Sequence, residues 1–208
     1  MKSILTCLTI LFALALQGQA SHPWVKKFQK EGVTIWTRGE KTSEYKATMT
    51  VDADINACVA LLQDIDVHPS FMGSVKSTKL LKTYNNKESL VYFVIDMPFP
   101  MKDMDLVSRA TFNYLPDKER VVVDINCEPD QAPKTTYERM KKADGFWSFQ
   151  RQKDGKTHVT YQLAFEPSNA PNWLVEMFLL DNPKKIMSGF AQLVTQTKYK
   201  NKDIAWIN

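Results

Sequence analysis

The stretch between Lys76 and Glu166 is a nearly continuous series of strand-like segments separated by short turns. Its segments are rich in β-branched and aromatic residues. We predict strands at Lys76–Tyr84, Ser89–Met97, Asp105–Tyr114, Arg120–Cys127, Tyr137–Arg151 (bent or interrupted near Gly145) and Lys156–Glu166. Asn, Asp, Gly and Pro occupy the turns between them. Connections this short join antiparallel neighbours, so the region predicts a long antiparallel meander.

The segment before this meander mixes helical and strand patterns. Trp24 to Glu31 predicts a short amphipathic helix that ends at Gly32. Alternation at Val33–Arg38 and β-favouring residues at Tyr45–Val51 predict two strands. A helix then follows, with a capping residue offered by Asp52-Ala53-Asp54 and with Ile55, Val59, Leu61 and Leu62 on one face. We expect His68-Pro69 to end this region, because the residue before proline avoids the α conformation.

The chain closes with a long amphipathic helical segment. It begins at Asn169-Ala170-Pro171, with proline in the first turn. Apolar residues at helical spacing continue from Trp173 to Val194, and Pro183 either kinks the helix or restarts it. A meander followed by such a helix predicts an α+β fold, in which a twisted antiparallel sheet wraps around the C-terminal helix.

The first twenty residues have the pattern of a secretory signal peptide. Lys2 is followed by the apolar run Ile4–Leu16 and by small residues at Gly18-Gln19-Ala20. The run is shorter than the about 20 residues that span a bilayer, which disfavours the alternative of a retained membrane anchor. We therefore expect an exported protein, periplasmic or secreted, with cleavage near Ala20.

The remaining chain, residues 21–208, has the length of one domain. One of the 27 basic residues, Lys2, lies in the leader, so 26 basic residues face 23 acidic ones and the formal charge is +3. This mild charge lacks the concentrated basic patch of a nucleic-acid-binding protein. We expect a monomer with no nucleic-acid partner.

Two cysteines remain after cleavage, Cys58 and Cys127. An even number in an exported protein allows a disulfide between them. The alternative is a pair of free thiols that pack as small apolar side chains, because a chain of this size folds without a covalent cross-link.

Two motifs in this order resemble a known family. The first is Pro98-Phe99-Pro100-Met101-Lys102-Asp103-Met104-Asp105-Leu106-Val107-Ser108-Arg109, and the second is Pro171-Asn172-Trp173-Leu174-Val175. Together they resemble the START domains, the lipid-transfer domains related to the steroidogenic acute regulatory protein, in a bacterial-type exported form. The resemblance covers nearly all of residues 21–208. It implies the helix-grip fold of the Bet v 1-like superfamily and a cavity between sheet and helix that holds a lipid or sterol.

The residues expected to line this cavity are mostly aromatic or long apolar side chains. They are Phe93, Ile95, Met97, Arg109, Phe112, Trp147, Phe149, Tyr161, Phe165, Trp173, Met177 and Phe190. The resemblance also implies that Arg109 pairs with an acid on the preceding strand, here Asp96, and that the pair orients a polar group of the ligand. The alternative for both residues is an exposed cross-strand ion pair of little energetic value.

No catalytic motif is present, so we do not expect an enzyme. His22, His68 and His158 lack a Cys, Ser or acid at motif spacing, and Asp64, Asp66 and His68 form a weak candidate for a metal site. We expect no metal and no cofactor.

The partners implied are a hydrophobic small molecule and, transiently, a membrane. Two alternatives stay open: an aromatase/cyclase-like enzyme with this fold, and a binding module with a filled core.

Overall fold

The computed structural model describes residues 22–39, 43–166 and 170–207. The predicted leader, residues 1–20, lies outside the described residues. The strands are β1 (Val25–Lys30), β2 (Val33–Arg38), β3 (Ser43–Val51), β4 (Val75–Asn85), β5 (Glu88–Ile95), β6 (Met104–Leu115), β7 (Arg120–Cys127), β8 (Glu138–Arg139), β9 (Ala143–Arg151) and β10 (Thr157–Phe165). The helices are α1 (Ile55–Gln63), α2 (His68–Phe71), α3 (Asn172–Glu176), α4 (Asn182–Val194) and α5 (Thr197–Lys200).

The described strands form one sheet in the order β1-β2-β3-β10-β9-β7-β6-β5-β4. Neighbours along this order are antiparallel, and the short β8 pairs in parallel with the start of β6. The predicted meander is confirmed, except that its fifth strand is divided into β8 and β9. The first three strands join the other end of the meander through β3 and β10, which pair from Ser43 to Val51.

The predicted helix at Trp24–Glu31 is wrong, because this segment forms the edge strand β1. Glu31 and Gly32 both have positive φ, 53° and 77°, and join β1 to β2 in a two-residue hairpin turn. Most of β1 is exposed, so its side chains lack the clean alternation that identifies a half-buried strand.

The α1 helix begins where predicted. The Asp54 carboxylate accepts a hydrogen bond from the backbone N–H of Asn56 at 2.8 Å. The prediction that His68-Pro69 ends the helical region is wrong, since His68 is in the α conformation and Pro69 lies in the first turn of the short helix α2. Proline is tolerated there because the first N–H groups of a helix have no partner within it.

The C-terminal helix runs from Asn172 to Val194 and changes its winding in the middle. Residues Met177–Asp181 form a π-helical turn, in which the N–H of Asn182 bonds to the carbonyl of Met177. Pro183 follows in the first turn of α4. A proline ring clashes with the carbonyl four residues earlier in a regular α-helix, and the wider π turn relieves this clash. Of the predicted start, Asn169 lies outside the described residues.

An aromatic core fills the space between the sheet and the second half of α4. The Trp147 ring stacks on Tyr161 and on Phe190, with ring centroids 4.1 Å and 5.3 Å apart. Phe149 also stacks on Phe190, with a centroid distance of 5.8 Å. The predicted strand is not interrupted at Gly145, because β9 runs from Ala143 to Arg151 and the break lies between Arg139 and Ala143. A Cβ at Gly145 would be only 2.0 Å from the Gln162 carbonyl oxygen. The core therefore fixes one end of the C-terminal helix firmly on the sheet.

Cys58 and Cys127 are both free thiols, so the allowed disulfide does not form. Cys58 is buried in α1, whereas Cys127 is partly buried at the end of β7. Burial raises the pKa of both thiols, that of Cys127 to about 11, which keeps them protonated and unreactive at neutral pH. Among the helices of the described residues, none is long and apolar enough to cross a membrane.

Candidate functional site

A pocket of about 340 Å³ lies between the inner face of the sheet and the first half of the C-terminal helix. The sheet contributes mainly apolar side chains from β5, β6, β7 and β10. The opposite wall comprises Leu62, Ile65, His68 and Met72 around α1 and α2, and Phe178, Asn182 and Ile186 of the C-terminal helix. The volume is at the lower end of the about 300–1,000 Å³ typical of small-molecule sites.

One end of the pocket reaches the protein surface beside the β4–β5 hairpin. Its lining there includes Gln63 at the end of α1 and the exposed residues Asn85 and Asn86 of the hairpin. The Gln63 side-chain amide donates to the Asn86 carbonyl at 3.2 Å, so an exposed hydrogen bond links the end of α1 to the hairpin beside this opening.

Five of the predicted cavity residues line the pocket: Phe93, Ile95, Phe112, Tyr161 and Phe165. They come from β5, β6 and β10 and alternate with outward-facing residues along each strand. The period-two pattern was therefore a correct guide to the inner face of the sheet.

Three other predicted cavity residues face the space between the sheet and the helix but do not line the pocket. They are Trp147, Phe149 and Phe190. They belong to the filled aromatic core described above, and all three are fully buried. Strand alternation predicts which face of the sheet a side chain lies on. It does not predict where the side chain lies along the space between the sheet and the C-terminal helix. That space is filled at one end of α4 and open at the other.

Met97, Trp173 and Met177 also lie away from the pocket. Met97 follows the end of β5, and its backbone N–H donates to the Asp103 carboxylate at 3.2 Å. Trp173 is 48% exposed in the first turn of α3. Met177 is half-buried in the π turn, where the altered winding moves it out of the stripe that regular helical spacing predicts.

Arg109 lies on the outer face of β6 and does not pair with Asp96. Its guanidinium donates to both carboxylate oxygens of Glu128, at 2.5 and 2.8 Å, and to Glu88 at 2.7 Å. It also lies 4.2 Å from the centre of the Tyr84 ring. In the sheet register Arg109 is opposite Leu90, six residues from Asp96, or roughly 20 Å along the strand. The expected polar pair inside the cavity is therefore an ion-pair cluster on the outside.

The polar side chains that line the pocket lie partly at its opening, with Gln63, Asn85 and Asn86, and partly among the apolar side chains. Ser108 donates weakly to the Asn126 carbonyl at 3.4 Å, and Asn182 accepts from the backbone N–H of Ser74 at 3.0 Å. His68 differs, because its Nδ1 atom is buried without a hydrogen-bond partner. The Tyr45 hydroxyl is also buried and lies beside the Tyr161 hydroxyl. Burial lowers the pKa of His68 to about 4, although its contact with the Leu62 carbonyl and the nearby Asp64 and Asp66 oppose this shift.

Sequence reasoning did not assign Tyr45 or His68 to the site. Tyr45 lies in a strand that was predicted correctly, but its distance in the chain from the meander hid its contact with Tyr161. His68 was considered as a metal ligand with Asp64 and Asp66, and as a weak acid–base candidate in the aromatase/cyclase alternative. Among the described residues, no cluster of His, Cys, Asp and Glu with metal-binding geometry is found.

An exposed apolar loop lies between β5 and β6. Phe99 is 94% exposed at its tip, and Met101 beside it is partly exposed. The base of the loop is held by Asp103, which accepts from Lys76 Nζ at 2.8 Å. The loop therefore presents one large apolar side chain to solvent on a base that is fixed to the sheet.

Comparison with known proteins shows which of them share this architecture. A scan against protein-family models found no match. An uncharacterized protein of Pseudomonas aeruginosa is 28% identical over 197 residues, covering 91% of this chain and 96% of the relative.

Several solved structures share the fold. The STAR-related lipid transfer protein of Xanthomonas axonopodis superimposes with a TM-score of 0.74 at 22% identity, covering 83% of this chain and 99% of that one. Human STARD10 gives a TM-score of 0.70 at 17% identity, covering 84% of this chain and 74% of that one. The chain therefore has the helix-grip fold of START domains, which confirms the fold implied by its motifs.

The Zhui aromatase/cyclase of Streptomyces also shares the architecture, with a TM-score of 0.53 at 12% identity. The alignment covers 74% of this chain and 93% of that one. Since proteins with different activities share this fold, the fold alone does not give the function, which must be argued from the pocket.

Proposed function

We propose that this protein binds one hydrophobic molecule, such as a lipid or a sterol, in the pocket between the sheet and the C-terminal helix, and carries it between membranes. The observation that carries the proposal is the apolar pocket itself, which is lined by Phe93, Ile95, Phe112, Phe165 and similar side chains. Removing apolar surface from water stabilises the complex by roughly 0.8 kcal/mol for each buried CH₂ group. The likeness to solved lipid-transfer proteins supports the same function.

The state of the pocket histidine favours binding over acid–base catalysis. A general base is most effective when its pKa is near the working pH. Burial lowers the pKa of His68 to about 4, so it is a weak base at neutral pH. Burial likewise raises the pKa of Tyr161 to about 12, which makes it a weak acid. An aromatase/cyclase-like reaction is the second candidate and would need a stronger acid–base pair than these side chains supply.

We further propose that the protein is exported and meets membranes through the loop that carries Phe99. Export is supported by the signal-peptide pattern of residues 1–20. Membrane contact is supported by the exposure of Phe99 and by Met101 beside it. Mass spectrometry of the secreted or periplasmic protein tests the first part, with a mature start at Ser21 as the expected result.

Native mass spectrometry of the purified protein, followed by organic extraction, tests ligand binding. We expect one stoichiometric hydrophobic adduct. We also expect saturable binding of the fluorescent apolar probe N-phenylnaphthylamine. A clean apo mass together with no saturable probe binding would contradict the proposal and favour a filled core.

A pair of adjacent substitutions supplies the matched control. Ala110 lines the pocket, whereas Thr111 points to the outer face of the same strand. Ala110→Phe should fill part of the pocket and weaken probe binding about tenfold or more. Thr111→Phe adds a similar apolar side chain outside and should leave probe binding unchanged. Equal effects of the two variants would place the probe elsewhere on the protein.

A further inference from the structure

The His68 side chain lines the pocket, and its ring has one unused hydrogen-bond acceptor. Its Nε2 atom lies 2.9 Å from the carbonyl oxygen of Leu62. A carbonyl only accepts hydrogen bonds, so Nε2 carries the ring proton and donates it there. The other ring nitrogen, Nδ1, then has a free lone pair, and it is buried with no partner.

The ring is fixed in this orientation by its neighbours. Phe93 stacks on it with an interplanar angle of 8° and a centroid distance of 6.1 Å. Phe71 contacts it edge-on at 5.5 Å. His68 is only 4% exposed and lines the pocket together with Phe93. A rotation that brought Nδ1 to solvent would break the bond to Leu62 and both ring contacts.

Buried acceptors without a partner are rare in folded proteins and point to a missing partner. Within the part of the chain that the structure describes, the Tyr45 hydroxyl, His68 Nδ1 and Trp147 Nε1 are the buried side-chain polar atoms without a hydrogen bond. Two of these three residues line the pocket. The Tyr45 hydroxyl lies beside that of Tyr161, which leaves His68 Nδ1 as the unpaired acceptor on a residue that lines the pocket.

We propose that the ligand of this pocket carries an O–H group that donates a hydrogen bond to Nδ1 of His68. This inference rests on the proposed function and names the ligand class: an apolar molecule with a hydroxyl group, such as a long-chain, isoprenoid or sterol alcohol. Pure hydrocarbons, esters and ethers have no proton to donate, and neither does an ionised fatty acid. The nearby carboxylates Asp64 and Asp66 also disfavour an anionic ligand group.

Displacement of bound N-phenylnaphthylamine by two matched compounds tests the inference. Dodecanol has the hydroxyl group, whereas methyl undecyl ether has the same number of heavy atoms and keeps the oxygen without its proton. We expect dodecanol to bind about fivefold to tenfold more tightly than the ether, as one neutral hydrogen bond predicts. In His68→Phe the preference should disappear while the affinity for the ether is retained.

Ser108→Ala is the matched control, because Ser108 also lines the pocket but its hydroxyl already has a partner. This variant should keep the preference for the alcohol. Saturable probe binding with equal affinities of wild type for alcohol and ether would overturn the inference and leave the proposed function standing. Absence of saturable probe binding would overturn both.

Nitrogen-15 NMR of labelled histidine tests the same bond without a substitution, should His68→Phe fail to fold. Dodecanol should shift the resonance of the unprotonated His68 nitrogen toward that of a hydrogen-bonded acceptor, and the ether should not. A resonance that responds equally to both compounds would contradict the inference.

Discussion

The partly buried Arg139 and the buried Asp105 form a bidentate ion pair that fixes the segment between β7 and β9 over the outer face of β6. Arg139 Nη2 donates to Asp105 Oδ2 at 2.9 Å, and the same guanidinium donates to the carbonyls of Pro129, Ala132 and Pro133. The Asp105 side chain has no exposed surface. Burial alone would raise the pKa of Asp105, but the hydrogen bonds from Arg139, Thr135 and Tyr92 hold it below its usual range.

We expect Asp105→Asn to destabilise the protein by roughly 3 kcal/mol, because it leaves the Arg139 charge half-buried without its counter-ion. Urea unfolding measures the change. Lys76→Met, which breaks the exposed pair with Asp103, is the control and should cost about 1 kcal/mol or less. Similar losses in the two variants would show that the buried network contributes no more than a surface ion pair.

His68 should make stability depend on pH below about 6.5. Its pKa is about 4 in the folded protein and about 6.5 in the unfolded chain, so the unfolded chain binds a proton first as pH falls. The stabilising contribution is full above about pH 6.5 and is lost as the pH falls to about 4, by roughly 3 kcal/mol in total. Thermal unfolding at a series of pH values measures it.

The His68→Phe variant should flatten this pH dependence. His158, whose pKa is also lowered by burial, titrates in the same direction, but it is only partly buried, and His158→Gln should remove a smaller part. Asp64 and Asp105 have lowered pKa values, so their contributions are lost at lower pH, below about 4. A slope that persists unchanged in His68→Phe would refute the assignment.

Gly189→Ala should destabilise the protein despite the higher helix propensity of alanine. A Cβ at Gly189 would lie 2.8 Å from the Phe71 Cβ and 3.0 Å from its Cα, where α4 crosses α2. The overlap should cost about 1–3 kcal/mol and exceed the gain in propensity of about 1 kcal/mol. Ser188→Ala, at the exposed neighbouring position, should stabilise slightly. Calorimetry distinguishes these outcomes, and a gain in both variants would contradict the close packing.

Pro183→Ala should slow exchange of the pocket ligand. Alanine restores a backbone donor after the π turn and allows regular α-helical winding beside Phe178 and Asn182, which border the pocket. Stopped-flow dissociation of N-phenylnaphthylamine should become several-fold slower. Pro171→Ala, at the exposed start of α3, is the control. Unchanged rates in Pro183→Ala would exclude the π turn as part of the opening motion.

Phe99→Ser should weaken binding to vesicles of phosphatidylethanolamine and phosphatidylglycerol roughly tenfold, because it removes the apolar side chain at the loop tip. It should not change the melting temperature, since Phe99 is almost fully exposed. Leu81→Ser, at another exposed apolar position, is the control for surface hydrophobicity. Vesicle co-sedimentation measures both, and equal binding of Phe99→Ser and wild type would rule out this loop as the contact.

Most strands and the C-terminal helix could be predicted because their signals are local. Alternation placed Phe93, Phe112 and Tyr161 on the inner face of the sheet, and this face is the one that borders the pocket. The edge strand β1 was missed, because it is mostly exposed and so carries little periodic signal. The START motifs gave the correct fold, although Arg109 within one of them faces outward.

The sequence by itself determined the strand order within the meander, the inner faces of the strands and the amphipathic terminal helix, since short turns and side-chain periodicity act over a few residues. Only the tertiary structure decided where the space between sheet and helix stays open. Trp147, Phe149 and Phe190 fill one end by stacking, whereas Phe178 and Ile186 border the other. It also brought Tyr45 and His68 to the pocket, because such contacts depend on how distant strands and helices pack in three dimensions.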